Sequence, residues 1–240
     1  MSNELLLDKI AFVTNATSEQ DLLSRLKTSV QALGFDQFLL GVEVKRPLVK
    51  PIQHVCSGYK PEWQRLYLER GYISVDPTVH HCQTSTLPMV WNESHYDNGS
   101  RALWEEARSH GIAHGLSLAL HDNAGVKSMF SLARDKSVDK DERELASVLT
   151  GAKVLATCAH FAATQLLVPG MIKQALPPLT AREVECLNWS AKGKTAVEIG
   201  MILHISEATA VFHLSNVVRK FGVSNRIQAI AMGVSLGLVS

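Results

Sequence analysis

Cysteine is scarce in this sequence, with only Cys56, Cys82, Cys158 and Cys186 and no Cys-x-x-Cys pair among them. That spacing excludes a disulfide framework and a zinc knuckle and points to reduced, buried thiols. No apolar run approaches the roughly 18 residues of a membrane span. The first residues carry Glu4 and Asp8 instead of a basic leader, so a soluble, cytoplasmic protein without membrane contact is expected. Charge of either sign is in short supply: the net value is +1, and from Leu176 onward six Lys or Arg face four Asp or Glu. So slight an excess does not by itself signal nucleic-acid binding.

Catalytic signatures are missing as well. Gly193-Lys194-Thr195 ends like a phosphate loop, but position 188 is Asn where that motif requires Gly, and the segment joins two helices instead of following a strand. There is no G-x-S-x-G elbow and no early aspartate pair to hold magnesium. His80 and His81 beside Cys82, with His54 and Cys56, fit a metal site poorly, as do His110 and His114. Adjacent helical residues diverge by about 100°, and Gly111 and Gly115 break the helix that the last pair needs. The expectation is therefore no enzyme, no metal and no cofactor.

What is present is an ordinary globular composition, 46% hydrophobic and 20% charged over 240 residues, enough for one core and a small module. Ser18 caps an amphipathic helix over 18–33 whose Leu22, Leu26, Val30 and Leu33 recur every three to four residues, closed by Gly34. Residues 35–44 read as a strand, 61–70 and 101–110 as helices, and 139–167 as a long helix. Leu116–Leu120 and Val126–Ala133 flank the turn Asp122-Asn123-Ala124-Gly125, a hairpin signal. In its second strand Ser128, Phe130 and Leu132 share one face and Met129, Ser131 and Ala133 the other, so both faces are to be covered. Val168-Pro169-Gly170 and Ala175 to Pro178 interrupt the periodicity, which predicts a linker.

The last sixty residues are the most explicit. Thr180 with Glu183 and Thr195 with Glu198 are capping boxes that open two helices, and Ser206 caps a third. On the third, Ala210, Leu214, Val217 and Phe221 form the buried stripe, which turns Val211, Phe212, Ser215, Asn216 and Arg219 outward as a candidate DNA reader. A fourth helix from Asn225 places Ile227, Ile230 and Val234 on one stripe, either to complete the core or to meet a second copy. Upstream, residues 59–91 concentrate Tyr59, Trp63, Tyr67, Tyr72 and Trp91, with Asp76 held extended by Pro77. If the helix at Pro61 extends back one turn, Tyr59, Trp63 and Tyr67 line one stripe. An indole N–H, phenol hydroxyls and a carboxylate in one apolar region suit an amphiphilic ligand with carbonyl acceptors and an amide donor.

Leu179 to Glu183, Trp189 to Thr195, Glu198 to Gly200, Ser206 to Thr209, Phe212-His213 and Asn216 to Phe221 resemble the LuxR-type DNA-binding domain. Gly58-Tyr59, Trp63, Tyr67, Gly71-Tyr72, Val75 to Val79, Cys82, Leu87-Pro88, Trp91, Glu105 to Ala107 and Gly111 resemble the autoinducer-binding domain of the same quorum-sensing receptors, closest to the LasR-type subgroup. The resemblance implies an α+β protein. An N-terminal α/β/α sandwich with an antiparallel sheet spans 1–168, a linker spans 169–178, and a four-helix helix-turn-helix domain spans 179–240. It implies a transcriptional regulator that binds an N-acyl-homoserine lactone and, as a homodimer, an inverted repeat in double-stranded promoter DNA.

Carried over, Trp63 donates to the lactone carbonyl, Asp76 accepts the amide N–H, and Tyr59 with Ser131 holds the acyl carbonyl. Thr78, Trp91 and Ser117 line the head group, and Gln64, Tyr67, Val79 and Met129 complete the ligand set. Lys194, Thr195, Ser206, Glu207, Thr209, Val211, Phe212, Ser215, Asn216, Arg219 and Lys220 make up the DNA set. Two departures bear on specificity. Gln64 stands where LasR-type receptors carry Arg near a 3-oxo group, and Val211 replaces a common Lys, Asn or Arg, leaving contact with a thymine methyl as the apolar substitute. The subgroup implies a medium to long acyl chain, with a 3-oxo substituent left open. The alternative is a helix-turn-helix regulator whose N-terminal domain answers to another small molecule or a protein partner.

Overall fold

The computed structural model describes residues 3–46, 50–97, 99–123, 125–136 and 142–239. The chain divides into two compact units: a first that runs to Leu167 apart from two short hairpin ends, and a second that begins at Val168. In the first, α1 (Asn3–Thr14) and α2 (Glu19–Ala32) lead into β1 (Gln37–Val44) and β2 (Ile52–Ser57). Then come α3 (Pro61–Glu69), α4 (Pro77–Thr84), β3 (Met89–Val90), α5 (Arg101–Ser109), β4 (His114–His121), β5 (Val126–Arg134) and α6 (Glu142–Leu166).

The five strands form one sheet in the order β2-β1-β5-β4-β3, antiparallel as expected. Strands β4 and β5 pair Ser117 with Ser131 and Ala119 with Met129. The alternation of side chains then sends Ser128, Phe130 and Leu132 to one face and Met129, Ser131 and Ala133 to the other. On the first face Ser128 Oγ lies 2.7 Å from His160 Nδ1 of α6, and the rings of Phe130 and Phe38 meet at 6.1 Å. Leu22, Leu26 and Val30 of α2 and Ala152, Ala156, Ala159 and Ala163 of α6 are buried there. The small alanines let α6 approach the sheet closely. The second face carries α3, α4 and α5.

Local chemistry explains where these helices begin. Ser18 accepts the Asp21 N–H, Pro61 and Pro77 occupy first-turn positions, and Gly34 and Gly71 take positive φ where chains leave helices. The expected helix at 18–33, the strand at 35–44, the hairpin and the helix at 101–110 are all present. Of the long helix, Asp139 to Asp141 lie outside the described residues, as does Ala124 of the turn. Helix α1, strands β2 and β3 and helix α4 are additions. Helix α3 starts at Pro61 with Lys60 as its cap, so it does not extend back to Tyr59.

The second unit comprises α7 (Val168–Ala175), α8 (Ala181–Ala191), α9 (Ala196–Leu203), α10 (Glu207–Phe221) and α11 (Arg226–Ser235). Helix α7 occupies most of the segment expected as a linker, with Pro169 at a first-turn position where its missing N–H costs nothing. Both capping boxes form: Thr180 and Glu183 exchange hydrogen bonds at the start of α8, and Thr195 and Glu198 do so at α9. Cys186, Ile199, Ala210 and Leu214 make the shared core.

Helices α9 and α10 cross at 109°, within the range of helix-turn-helix pairs. The chain turns at His204, held left-handed at φ 54°, and the Ile205 N–H returns to the Gly200 carbonyl at 2.9 Å. A Cβ on Gly200 would stand 2.8 Å from the Ile205 carbonyl oxygen, a backbone atom that cannot swing aside. Gly200→Ala gains about 1 kcal/mol of helix propensity but forces the turn open at about 1 to 3 kcal/mol. The expected result in chemical denaturation is a second unit less stable by up to about 2 kcal/mol.

Candidate ligand pocket and DNA-reading face

The second face of the sheet holds a cluster of Trp63, Tyr72, Tyr96, Leu103, Trp104, Ala107, Ile112 and Ala133, with Tyr59, Leu66, Tyr67 and Trp91 packed against it. Trp63 and Tyr67 stand one turn apart on α3, rings 5.9 Å apart edge to face, and Tyr72 stacks beside Trp63 at 6.4 Å. Tyr59 joins them from the connection between β2 and α3. Its carbonyl accepts from Gln64 Nε2 at 2.7 Å, which ties the connection to the helix.

Pro77 keeps Asp76 extended, and Asp76 in turn caps α4. Its Oδ1 accepts the Thr78 N–H at 2.8 Å and the Thr78 hydroxyl at 2.7 Å, while Oδ2 accepts the Tyr67 hydroxyl at 2.9 Å. A carboxylate offers about four lone-pair sites, and these donors engage both of its oxygens. Burial pushes the Asp76 carboxyl up; the donors from Thr78, Tyr67 and the Val79 amide oppose that rise. Burial, together with the charge of Asp76, also raises the phenols of Tyr67, Tyr59 and Tyr96, so all three stay protonated. Burial, seconded by the same charge, pushes the Cys82 thiol up to about 12.

A second polar chain crosses the sheet. Trp91 Nε1 donates to Ser117 Oγ at 2.9 Å, and Ser117 Oγ lies 2.8 Å from Ser131 Oγ, both serines being buried. Trp91 reaches this position because residue 115 is glycine: a Cβ there would meet the indole at 2.6 Å, and the Trp91 N–H donates to the Gly115 carbonyl. Nothing in the sequence around Trp91 marks Gly115 as its partner, since strand pairing brings them together. Tyr59, Trp63, Gln64, Tyr67, Asp76, Thr78, Trp91, Ser117 and Ser131 thus gather on one face through two hydrogen-bonded chains and one aromatic cluster. Val79 lies on α4 behind Asp76, and Met129 is half-buried on β5. Trp63 Nε1 and the Tyr59 hydroxyl form no hydrogen bond among the described residues.

In the second unit α10 buries Ala210, Leu214, Val217 and Phe221 and exposes Val211, Phe212, Ser215 and Arg219. Thr195, Ser206 and Thr209 belong to the helix caps; Ser206 Oγ lies 2.8 Å from the Thr209 hydroxyl. Glu207 is exposed in the first turn of α10. Lys194 faces Glu198 at 3.7 Å, and Arg219 bonds Asn216 at 3.0 Å. Lys220 departs from its expected place on the reading face. Its ammonium donates to Glu183 at 2.6 Å and to the Pro178 carbonyl at 2.8 Å, turned inward across α8. Arg226, absent from the expected set, donates to Ser190 and to the Lys194 carbonyl and so locks α11 to the turn before α9.

Residues 18–163 match the autoinducer binding domain model, and residues 177–233 match that of bacterial regulatory proteins of the luxR family. The transcriptional activator protein AnoR of Acinetobacter nosocomialis is 34% identical over 92% of this chain and 93% of its own. The HTH-type quorum-sensing regulator RhlR of Pseudomonas aeruginosa is 33% identical over 92% of this chain and 90% of its own. The structure of Escherichia coli SdiA, in complex with octanoyl-rac-glycerol, shares the fold with a TM-score of 0.76 at 24% identity, over 98% of this chain and 97% of that one.

Two outcomes follow from this geometry. The raised Asp76 carboxyl binds its proton more tightly in the folded chain. Its stabilising share is therefore complete below the unfolded value of about 3.9 and is lost as pH rises through the higher folded value. Asp76→Asn, still a competent helix cap, should flatten the pH dependence of melting over that window. For Glu183 burial acts upward, but Lys220 and the Thr180 amide outweigh it and hold the carboxyl below its ordinary range. That contribution is present above the unfolded value and is lost as pH falls through the folded one. Lys220→Met strands a buried carboxylate, and denaturation should show a loss of about 3 kcal/mol in the second unit.

Proposed function

Because the chain belongs to the LuxR family of bacterial regulatory proteins, whose members regulate transcription and are not enzymes, we propose a specific recognition scheme. An N-acyl-homoserine lactone enters the aromatic pocket, and a homodimer binds an inverted repeat in promoter DNA. The observation that carries it is the Asp76 carboxylate, a strong acceptor, beside two donors, Trp63 Nε1 and the Tyr59 hydroxyl, that have no partner among the described residues. An acyl-homoserine lactone supplies one amide donor and two carbonyl acceptors, the complement of that set. Each ligand polar atom left unpaired would cost about 1 to 3 kcal/mol.

In this scheme Asp76 accepts the amide N–H, Trp63 donates to the lactone carbonyl, and Tyr59 with Ser131 donates to the acyl carbonyl. The serine relay supports the last role. With Ser117 accepting from Trp91 and donating to Ser131, the Ser131 hydroxyl hydrogen is available to the ligand. Thr78 and Trp91 border the head group, while Val79 and Met129 accompany the acyl chain, of medium to long length. Gln64 gives one of its two amide hydrogens to the Tyr59 carbonyl, so a 3-oxo oxygen meets at most one uncharged N–H there and an unsubstituted chain is preferred.

The division into a ligand domain at 1–168, a connection at 169–178 and a DNA-binding domain at 179–240 follows from the same reading, as does a cytoplasmic location. Ligand binding stabilises the first unit and favours the dimer, which presents two α10 helices about 34 Å apart. Val211 and Phe212 then offer apolar surface to thymine methyls.

The deciding experiment is melting of the purified chain with a panel of acyl-homoserine lactones of graded length, with and without a 3-oxo group. At a thousandfold excess over Kd the gain is about 4 kcal/mol. A large upward shift confined to a few unsubstituted chain lengths is expected, and no shift with any of them leaves another small molecule or a protein as the signal. Asp76→Asn replaces a charged acceptor by a neutral one and should weaken the best lactone by about tenfold, or roughly 1.4 kcal/mol. Gln64→Arg should move the preference toward 3-oxo ligands by a similar factor.

A further inference from the structure

We propose that Glu19, His54 and Cys56 form a binding site for a divalent transition-metal ion of the zinc class, on the sheet face opposite the ligand pocket. Glu19 is the first residue of α2, and His54 and Cys56 alternate on β2 so that both side chains point to the same face. His54 Nε2 lies 2.8 Å from Glu19 Oε1, and Cys56 Sγ donates to the same oxygen at 3.4 Å. All three ligand atoms fall within 4.8 Å of one another.

Tetrahedral zinc, with bonds of about 2.0 to 2.3 Å, places neighbouring ligand atoms about 3.3 to 3.8 Å apart. The separations of 2.8 and 3.4 Å from Glu19 Oε1, with all three atoms within 4.8 Å, lie near that spacing. The donor set selects the ion. Thiolate, imidazole and carboxylate together suit zinc and its neighbours, whereas magnesium and calcium take oxygen ligands. Three protein ligands leave a fourth position for water.

The site is also reachable. Cys56 is buried at its floor, while the His54 and Glu19 side chains are 36% and 43% exposed at its mouth. Coordination releases the Cys56 thiol proton to solvent. The resulting thiolate and the Glu19 carboxylate balance the ion's charge against the positive end of α2. The ion would then clip α2 to β2, an edge strand with a single neighbour in the sheet.

The test uses the untagged full chain, freed of metal by a chelator and titrated separately with Zn2+, Co2+ and Mg2+. One equivalent of Co2+ should give a thiolate-to-cobalt charge-transfer band, Zn2+ should displace it and raise the melting temperature, and Mg2+ should do neither. Cys56→Ser should abolish the band. His54→Gln, at a half-exposed position, should weaken cobalt binding by at least about tenfold while melting cooperatively. Absence of the band in the unaltered chain, or its survival in Cys56→Ser, overturns the proposal. Unchanged cobalt affinity in a folded His54→Gln variant overturns it as well.

Discussion

A carboxylate inside an aromatic cluster is tolerable only if its hydrogen bonds are met, and the first unit is arranged around meeting those of Asp76. Burying a charge without partners is prohibitive in an apolar setting, so Thr78 from α4 and Tyr67 from α3 are both drawn to it. One side chain thereby fixes the relative placement of two helices and caps one of them. Burial, seconded by the same charge, keeps the surrounding phenols protonated, and therefore keeps them donors. In the proposed scheme one strong acceptor ringed by donors would favour a ligand with the reverse pattern. Rejecting ligands that lack it follows from the cost of leaving the site's own groups unpaired.

The second unit solves a different problem with the same means. Its helices are short, and isolated helices of such length are marginal in water. They are held by side-chain caps at Thr180, Thr195, Ser206 and Asn225 and by two internal cations. Lys220 joins α10 to the capping box of α8, and Arg226 joins α11 to the turn before α9. Both links run between elements distant in sequence, so they fix the angle at which α10 is presented as well as the stability of the unit.

The parts legible in the sequence were those that depend on neighbours along the chain. Capping boxes, the buried stripe of α10, the hairpin at Gly125 and the effect of Pro77 on Asp76 are all set within a few residues, and each has its expected form. What the chain order concealed comes from distant pairing. The resemblance placed Lys220 in the DNA set; its partner Glu183 lies 37 residues away. Gly115 became meaningful only when β3 laid Trp91 against it. The closeness of Glu19 to His54 and Cys56 is hidden in the chain order, since Glu19 is 35 residues upstream of His54. Tyr59 reached the pocket from a connecting segment, without the extra helical turn that its spacing from Trp63 suggested.

The inward turn of two cations has a consequence for how the proposed dimer works. Of six Lys and Arg from Leu176 onward, Lys220 and Arg226 serve the fold, Arg182 faces Glu185 and Lys194 faces Glu198. Few charges remain for phosphates, and each phosphate neutralised is what gives DNA affinity its salt-dependent bulk. In the proposed scheme one copy would bind weakly, and its discrimination would rest on an apolar pair, Val211 and Phe212, set against thymine methyls. Joining two copies on an inverted repeat doubles those terms within one binding event. A reader so dependent on its second copy is easily governed: a ligand that shifts the dimer population by a few kcal/mol shifts DNA occupancy with it, and no contact between ligand and DNA-binding helix is required.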